Sequence, residues 1–127
     1  MILMTYNKGT FFERELKHRL EDKGFFVVRA SGSGCDGVSP DLIALHTTKK
    51  FAVECKAWRR APRIEGTKFK ILSEWQATTG MPLYIAWKSP RKEWRFFPLS
   101  FLKESPLGYA LAKNDLEAGL TLGDLLR

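Results

Sequence analysis

The sequence predicts an α/β protein in which a central mixed sheet of five strands is flanked by helices, in the order αβββαββ. Two segments carry apolar residues at helical spacing, and five short runs rich in aromatic and aliphatic residues surround them. The 127 residues are 44% apolar, enough for a core of one domain. We therefore expect a single domain over residues 1–127, with short helices in residues 99–127, a tail whose role stays open.

The N-terminal part reads as a helix followed by a strand. Phe12, Leu16 and Leu20 form one apolar stripe of a helix predicted over residues 10–23, and the following glycine is a typical helix stop. Residues 25–29 have the composition of a buried strand. A loop rich in glycine and serine then leads to the next strand.

A hairpin is predicted next, from strand-like runs at 42–45 and 51–57 joined by a short polar segment. Side chains alternate between the two faces of a strand, so Glu54 and Lys56 share one face. Pairing of the two runs brings Asp41, at the start of the first strand, alongside both residues. Two carboxylates and an ammonium group therefore converge.

The second half repeats the pattern of helix and paired strands. Leu72, Trp75 and Thr79 fall on one face of a helix that ends at Gly80. Strand-like runs follow at 83–87 and 93–97, joined across a short polar segment. These runs complete the predicted five strands.

The carboxylate pair suits a hard divalent cation such as Mg²⁺, which binds carboxylate oxygens and keeps several waters. An ammonium group beside it can stabilise the charge that develops on a phosphorus centre. Asp41, Glu54 and Lys56 therefore form a candidate site for phosphodiester hydrolysis. The alternative is a solvated sheet face with cross-strand ion pairs.

The charge distribution points to a polyanionic substrate. The formal net charge is +7, and residues 56–70 alone carry six basic residues against one acidic residue, a net charge of +5. The basic residues are Lys56, Arg59, Arg60, Arg63, Lys68 and Lys70. Such a segment after the candidate site is what binding of a phosphate backbone requires. The alternative is a solvated basic loop.

Several other classes of protein are disfavoured. No apolar run approaches the ~20 residues that span a bilayer, so we expect no membrane association and a soluble, cytoplasmic protein. Cys35 and Cys55 lack the paired spacing of a zinc site, and we interpret them as free thiols. Any metal site is then an oxygen site.

Two features leave alternatives open. Thr10 and Glu13 match a capping box, in which Glu13 would serve only the start of the helix. If the helix begins earlier, with Asn7 as its cap, Glu13 lies within it and can face the site as a further carboxylate. The aromatic residues Trp75, Trp87, Trp94, Phe96 and Phe97 build either the core alone or also a dimer interface.

The order of several short motifs is itself informative. These motifs are Lys8-Gly9, Glu13-Arg14-Glu15-Leu16, Gly24-Phe25, Val28-Arg29, Gly32-Ser33, Pro40-Asp41-Leu42, Glu54-Cys55-Lys56 and Trp94-Arg95-Phe96. Together they resemble the archaeal-type Holliday junction resolvases of the PD-(D/E)XK nuclease superfamily. The resemblance covers about the first 100 residues and is poor in the tail.

The resemblance implies a restriction-endonuclease-like fold and a homodimer that nicks opposing strands of four-way junction DNA with Mg²⁺, for which Mn²⁺ substitutes. The sequence leaves open whether the source is an archaeon or a virus or phage, so we expect a cytoplasmic, nucleoid-associated protein, or one in the host cytoplasm if the source is viral. The resemblance implies roles for the matching positions. Asp41 and Glu54 would be metal ligands, Lys56 would orient or activate the water, and Glu13 would be the further acid. Ser33 matches the loop serine near the active site, and Arg14 and Arg29 match basic residues that contact DNA or support cleavage. Gln76 is a looser match to a helix glutamine that faces the site.

The chain also departs from the family pattern. Residues 34–39 lengthen the loop before Asp41, and residues 58–63 are unusually bulky, so junction preference could differ. Two alternatives remain: another nuclease of the superfamily that acts on flap, nicked or duplex DNA, and a non-catalytic DNA-binding module of the same fold.

Overall fold

The computed structural model describes residues 8–30 and 38–127 of the protein. In these ranges the chain forms α1 (Lys8–Asp22), β1 (Phe26–Arg29), β2 (Leu42–Leu45), β3 (Lys50–Lys56), β4 (Arg63–Ile64), α2 (Gly66–Thr79), β5 (Leu83–Trp87), β6 (Arg95–Pro98), β7 (Leu102–Ser105), β8 (Gly108–Leu111) and α3 (Leu122–Leu126). Two 3₁₀ helices, Leu99–Phe101 and Lys113–Ala118, lie in the C-terminal part.

The central sheet has five strands in the order β1-β2-β3-β5-β6. β3 and β5 run parallel, because α2 carries the chain back between them, and the other pairs are antiparallel. The predicted mixed five-stranded sheet is thus confirmed. The hairpin of β2 and β3 is confirmed as well, and the N–H of His46 donates to the carbonyl of Lys49 at its turn (3.0 Å).

Helices pack on both faces of the middle of this sheet. Leu16 and Leu20 of α1 pack on one face together with Leu122 and Leu125 of α3. Leu72 of α2 packs on the other face, in a cluster that also includes residues of β4, β7 and β8. The middle strand β3 is therefore buried on both sides, which explains its nearly continuous apolar sequence.

A second, three-stranded sheet in the order β4-β8-β7 lies beside α2. The short helices predicted in the tail are confirmed by α3 and the 3₁₀ helices, whereas these three strands were not predicted. The strands have two to four residues, and β7 (Leu-Lys-Glu-Ser) carries too few apolar residues to show a strand pattern. Their hydrogen bonds come from each other, so the tail is part of the folded domain.

The element boundaries correct one sequence interpretation. α1 begins at Lys8, two residues before the predicted start, so Glu13 lies within the helix and the capping-box interpretation is wrong. The predicted stop of α2 is confirmed, because Gly80 has a φ of 72° and donates its N–H to the carbonyl of Gln76 (2.9 Å).

Three of the five aromatic residues in question belong to the core. Trp94, Phe96 and Phe97 are fully buried, and the Trp94 indole N–H donates to Glu15 of α1 (2.8 Å). Trp75 and Trp87 are partly buried. Among residues 8–30 and 38–127, no helix is both long enough and apolar enough to span a membrane.

Gly119 allows the tail to approach β6 closely. A Cβ at this position would lie 2.5 Å from Cζ of the buried Phe97. We expect Gly119→Ala to lower the free energy of unfolding by about 1–3 kcal/mol, because the core has no room for the methyl group. Urea denaturation measures the change.

Gly123→Ala is the matched control. Gly123 lies on α3, and its nearest heavy atom to a new Cβ is Thr121 Oγ1 at 3.9 Å, so this variant should be neutral or more stable by about 0.5–1 kcal/mol. Equal effects of the two alanines would show that contact with Phe97 is not the cause.

Candidate active site

The hairpin brings the predicted acidic residues together at one end of the sheet. Leu42 of β2 pairs with Val53 of β3, and continuing this register by one residue sets Asp41 opposite Glu54. The backbone N–H of Cys55 donates to Asp41 Oδ2 (2.8 Å), which fixes the carboxylate against β3. The predicted convergence of these side chains is confirmed in position, while their catalytic roles remain predictions.

Glu54 is the buried centre of this group, with a side chain only 7% exposed. Its Oε2 lies 4.0 Å from Lys56 Nζ and 3.9 Å from Lys68 Nζ. Its Oε1 is buried and has no hydrogen-bond partner, the one such side-chain atom found in the part of the chain that the structure describes. A buried carboxylate oxygen without a partner is costly, so its persistence here suggests a functional use.

Burial sets the electrostatics of the acidic residues. Burial and then the neighbouring Asp41 carboxylate raise the pKa of Glu54 to about 7. Burial also raises the pKa of Asp41, although the hydrogen bond from Cys55 and the Lys56 ammonium oppose the shift. Both carboxyl groups therefore hold a proton more tightly than free carboxyls do, and positive charge nearby would favour their ionised forms.

Glu13 faces the same site from α1 but is held by another partner. Its Oε1 accepts a hydrogen bond from Arg29 Nε (3.1 Å) at the end of β1, and both side chains are less than one fifth exposed. Burial and then the Asp41 carboxylate raise the pKa of Glu13, and Arg29 opposes the shift. The structure thus places Arg29, which was predicted to contact DNA or support cleavage, where it orients a site carboxylate.

The position of Lys68 differs from what the sequence suggested. The sequence suggested a DNA contact, whereas the structure places this side chain in the first turn of α2, with its ammonium beside Glu54. Lys56 has a second neighbour, because its Nζ lies 5.1 Å from the centre of the Trp58 ring. The ammonium groups of Lys56 and Lys68 thus both lie near the Glu54 carboxylate.

The remaining predicted DNA-binding residues are exposed. They lie on α1, on the segment after β3, on β4 and on α2, and are Arg14, Arg59, Arg60, Arg63 and Lys70. Arg59 lines a groove of about 530 Å³ together with Trp87, Ser89, Lys92, Glu93, Arg95, Leu116 and Glu117. Lys92 and Arg95 carried no prediction, because only the pairing of β5 with β6 brings them near residue 59.

The predictions for Ser33, the two cysteines and Gln76 have different outcomes. Ser33 and Cys35 lie outside the described residues. The side-chain carbonyl of Gln76, the looser match, accepts a hydrogen bond from the N–H of Leu83 at the start of β5 (2.8 Å), which gives this residue a structural role. Cys55 is a free thiol, as predicted.

The donor set for a metal ion is small. Within residues 8–30 and 38–127, no group of three His, Cys, Asp or Glu side chains is arranged to hold a metal ion. Asp41 and Glu54 offer two carboxylates, one of them with the unpartnered Oε1. One or two carboxylates with waters are the usual protein ligands of Mg²⁺, so these residues fit that ion.

The mixed sheet, with an acid before β2 and an acid-x-lysine triplet on β3, is typical of the restriction-endonuclease-like nucleases. A family model described as archaeal Holliday junction resolvase (Hjc) matches residues 4–127. The chain belongs to this family. The match includes the C-terminal tail, where the motifs alone gave a poor resemblance.

Individual relatives agree with this assignment. Crossover junction endodeoxyribonuclease Hjc of Archaeoglobus fulgidus is 31% identical over 121 residues, which covers 94% of this chain and 89% of the relative. The protein of the same name from Sulfurisphaera tokodaii is 34% identical over 127 residues, with coverages of 95% and 87%. The solved structure of Archaeoglobus fulgidus Hjc, titled a Holliday junction resolvase from an archaeal hyperthermophile, matches with a TM-score of 0.83 and 28% identity, over 94% of this chain and 95% of that chain.

The raised pKa of Glu54 predicts how stability depends on pH when a chelator removes divalent cations. The folded protein holds the Glu54 proton more tightly than the unfolded chain, whose carboxyl has the usual value of 4.5. The stabilisation is therefore complete below about pH 4.5 and is lost as the pH rises through about 7. Glutamine does not ionise, so Glu54→Gln does not undergo this loss. As the pH rises from 5 to 8, the free energy of unfolding of Glu54→Gln should increase by about 2 kcal/mol relative to that of the wild type.

Urea denaturation in EDTA at both pH values measures this difference. Glu104→Gln on β7 is the matched control, because that carboxylate is exposed. A Glu54→Gln effect that is the same at pH 5 and pH 8 would contradict the raised pKa.

Proposed function

We propose that this protein is an endonuclease that resolves four-way DNA junctions by paired, metal-dependent hydrolysis of phosphodiester bonds. The observation that carries the proposal is the buried Glu54 carboxylate, which lies opposite Asp41, between two lysine ammonium groups, with one oxygen unpartnered. The family and the names of the relatives support the same reaction. Because the proposed substrate is chromosomal or viral DNA, we expect the protein to be cytoplasmic.

Asp41 and Glu54 would hold Mg²⁺, for which Mn²⁺ substitutes. When bound, the ion supplies charge neutralisation at the phosphate and lowers the pKa of water. Glu13, which Arg29 holds near Asp41, would serve a second and weaker cation position or bind through water. Because the pKa of Glu54 is near 7, cation binding competes with a proton in the physiological range.

The lysines have distinct tasks in this proposal. Lys56 presents a water for in-line attack, and its ammonium is held between the Glu54 carboxylate and the Trp58 ring. Lys68 places a second ammonium at Glu54, where it stabilises negative charge that develops on the phosphate oxygens. The site thus supplies positive charge where the reaction creates negative charge.

The exposed basic residues grip the arms of the junction through phosphate contacts that carry little sequence information. They are Arg14, Arg59, Arg60, Arg63 and Lys70, with Lys92 and Arg95 along the groove. Affinity should therefore fall steeply with salt. Selectivity for four-way junctions then depends on geometry and not on base sequence.

A homodimer would supply that geometry, with two sites at a fixed separation that match the symmetry of a four-way junction. An apolar sheet face supports this proposal. Phe26 is 71% exposed and Val28 43% exposed on the edge strand β1, and they pair with Leu45 and Ile43 of β2. An exposed apolar face of this kind is typical of an interface.

The proposed reaction predicts separate effects on cleavage and binding. Asp41→Asn should lower the rate of junction cleavage at least about 100-fold, because loss of a metal ligand removes several kcal/mol of transition-state stabilisation, and binding should persist. Cleavage of labelled four-way junction, flap and duplex DNA, with Mg²⁺ or EDTA, measures the rate. Asp22→Asn at the exposed end of α1 is the matched control.

The substrate comparison also separates the alternatives. Faster cleavage of flap or duplex DNA than of junctions would indicate another nuclease of the superfamily. Binding of junctions without any cleavage in Mg²⁺ or Mn²⁺ would indicate a non-catalytic module.

The proposed interface predicts that Phe26→Glu yields a monomer, because a charge cannot be buried without a partner. Size-exclusion chromatography with light scattering measures the mass, and a cruciform plasmid reports whether both strands are cut in one binding event. The monomer should lose paired cutting. Leu107→Glu, at a residue 70% exposed in the turn between β7 and β8, is the matched control and should remain dimeric. A wild-type monomer that still cuts both strands together would exclude this account of selectivity.

A further inference from the structure

An exposed tryptophan stands beside the proposed catalytic lysine. Trp58 is 40% exposed, and the centre of its ring lies 5.1 Å from Lys56 Nζ. A large aromatic surface left in water has an unfavourable free energy, which burial against a partner would recover. The exposed part of the Trp58 ring is therefore available to a binding partner.

The backbone at Trp58 is fixed to the central sheet. The indole N–H of Trp87 donates to the carbonyl oxygen of Trp58 (2.7 Å). Trp87 ends β5 and pairs directly with Lys56 of β3. The backbone that carries the exposed ring is thus tied to β5 and, through it, to β3, the strand of Glu54 and Lys56.

We propose that Trp58 stacks on a nucleobase at the branch point of the junction, an inference that rests on the proposed function. Bases inside a continuous duplex are covered on both faces by their neighbours. At a branch point this stacking is interrupted, so a base can offer its face to an aromatic side chain. A ring next to Lys56 would set the distance between the branch point and the phosphate to be cut.

The surrounding charges favour nucleic acid over other occupants of this surface. The segment that contains Trp58 carries a net charge of +5, and Arg59 and Arg60 follow directly and are exposed. Phosphate contacts by these arginines would bring a strand across the ring. An aromatic ring interleaved with basic residues is how proteins bind unpaired bases.

Fluorescence of 2-aminopurine tests the inference. The probe is placed in a four-way junction, either at the branch point or in the middle of an arm, and bound by Asp41→Asn protein in Mg²⁺. On binding of the Asp41→Asn protein, we expect the fluorescence of the branch-point probe to be quenched and that of the arm probe to be unchanged. The double variant Asp41→Asn/Trp58→Ala should lose the quenching, and Trp58→Phe in the same background should retain part of it.

Affinity supplies the second readout. Trp58→Ala should weaken junction binding about 10-fold, as expected for the loss of one stacked base, and should change duplex binding less than about twofold. Arg60→Ala is the electrostatic control, and it should weaken junction and duplex binding alike and reduce the salt dependence. Leu107→Ala removes an exposed apolar side chain elsewhere and should change neither affinity.

The outcomes are distinct. If Trp58→Ala slows cleavage but leaves junction affinity and the branch-point signal unchanged, the ring only orients Lys56 and the stacking inference is wrong. An equal loss of junction and duplex affinity would also exclude it. If the wild-type protein cleaves junctions but the branch-point signal does not depend on Trp58, only the stacking inference is refuted. If the signal depends on Trp58 but no metal-dependent cleavage occurs, the nuclease proposal is refuted.

Discussion

The burial of one carboxylate on the central strand governs the organisation of the site. Glu54 lies in β3, which is covered on both faces and paired with strands on both edges, so its side chain has little access to water. An ionised group there requires positive charge close by, and two lysines supply it from different elements. Burial and the Asp41 carboxylate leave the pKa of Glu54 near 7, so the free site is electrostatically unsatisfied. A site in this condition holds its proton more tightly than a free carboxyl does and costs stability when it ionises, as expected where function opposes stability.

The three acidic residues have different partners. Asp41 is fixed by a backbone N–H of the neighbouring strand, Glu54 keeps one free oxygen, and Glu13 is bound by Arg29. The pairing with Arg29 joins α1 to the end of β1. Arg29 therefore contacts the group of acidic residues through Glu13.

The C-terminal tail has a structural role that bears on DNA binding. Arg63 and Ile64 form β4, which pairs with β8 of the tail, and Ile64 is almost completely buried. The basic segment after β3 is therefore not simply a solvated loop, because its middle is fixed to a second sheet. Fixed basic side chains lose less conformational entropy when they bind phosphates than those of a mobile loop. The tail thus holds the segment that we propose to bind DNA.

The sequence by itself determined the five central strands, the two long helices and the convergence of Asp41 with Glu54, because local periodicity and one short turn specify them. Only the tertiary structure decided the second sheet, whose short strands have no pattern of their own and exist through mutual pairing. It also decided that Lys68 lies at the site, since this depends on how α2 packs across the sheet. Helical periodicity assigns a residue to a face of its helix, but it contains no information on which strand that face meets.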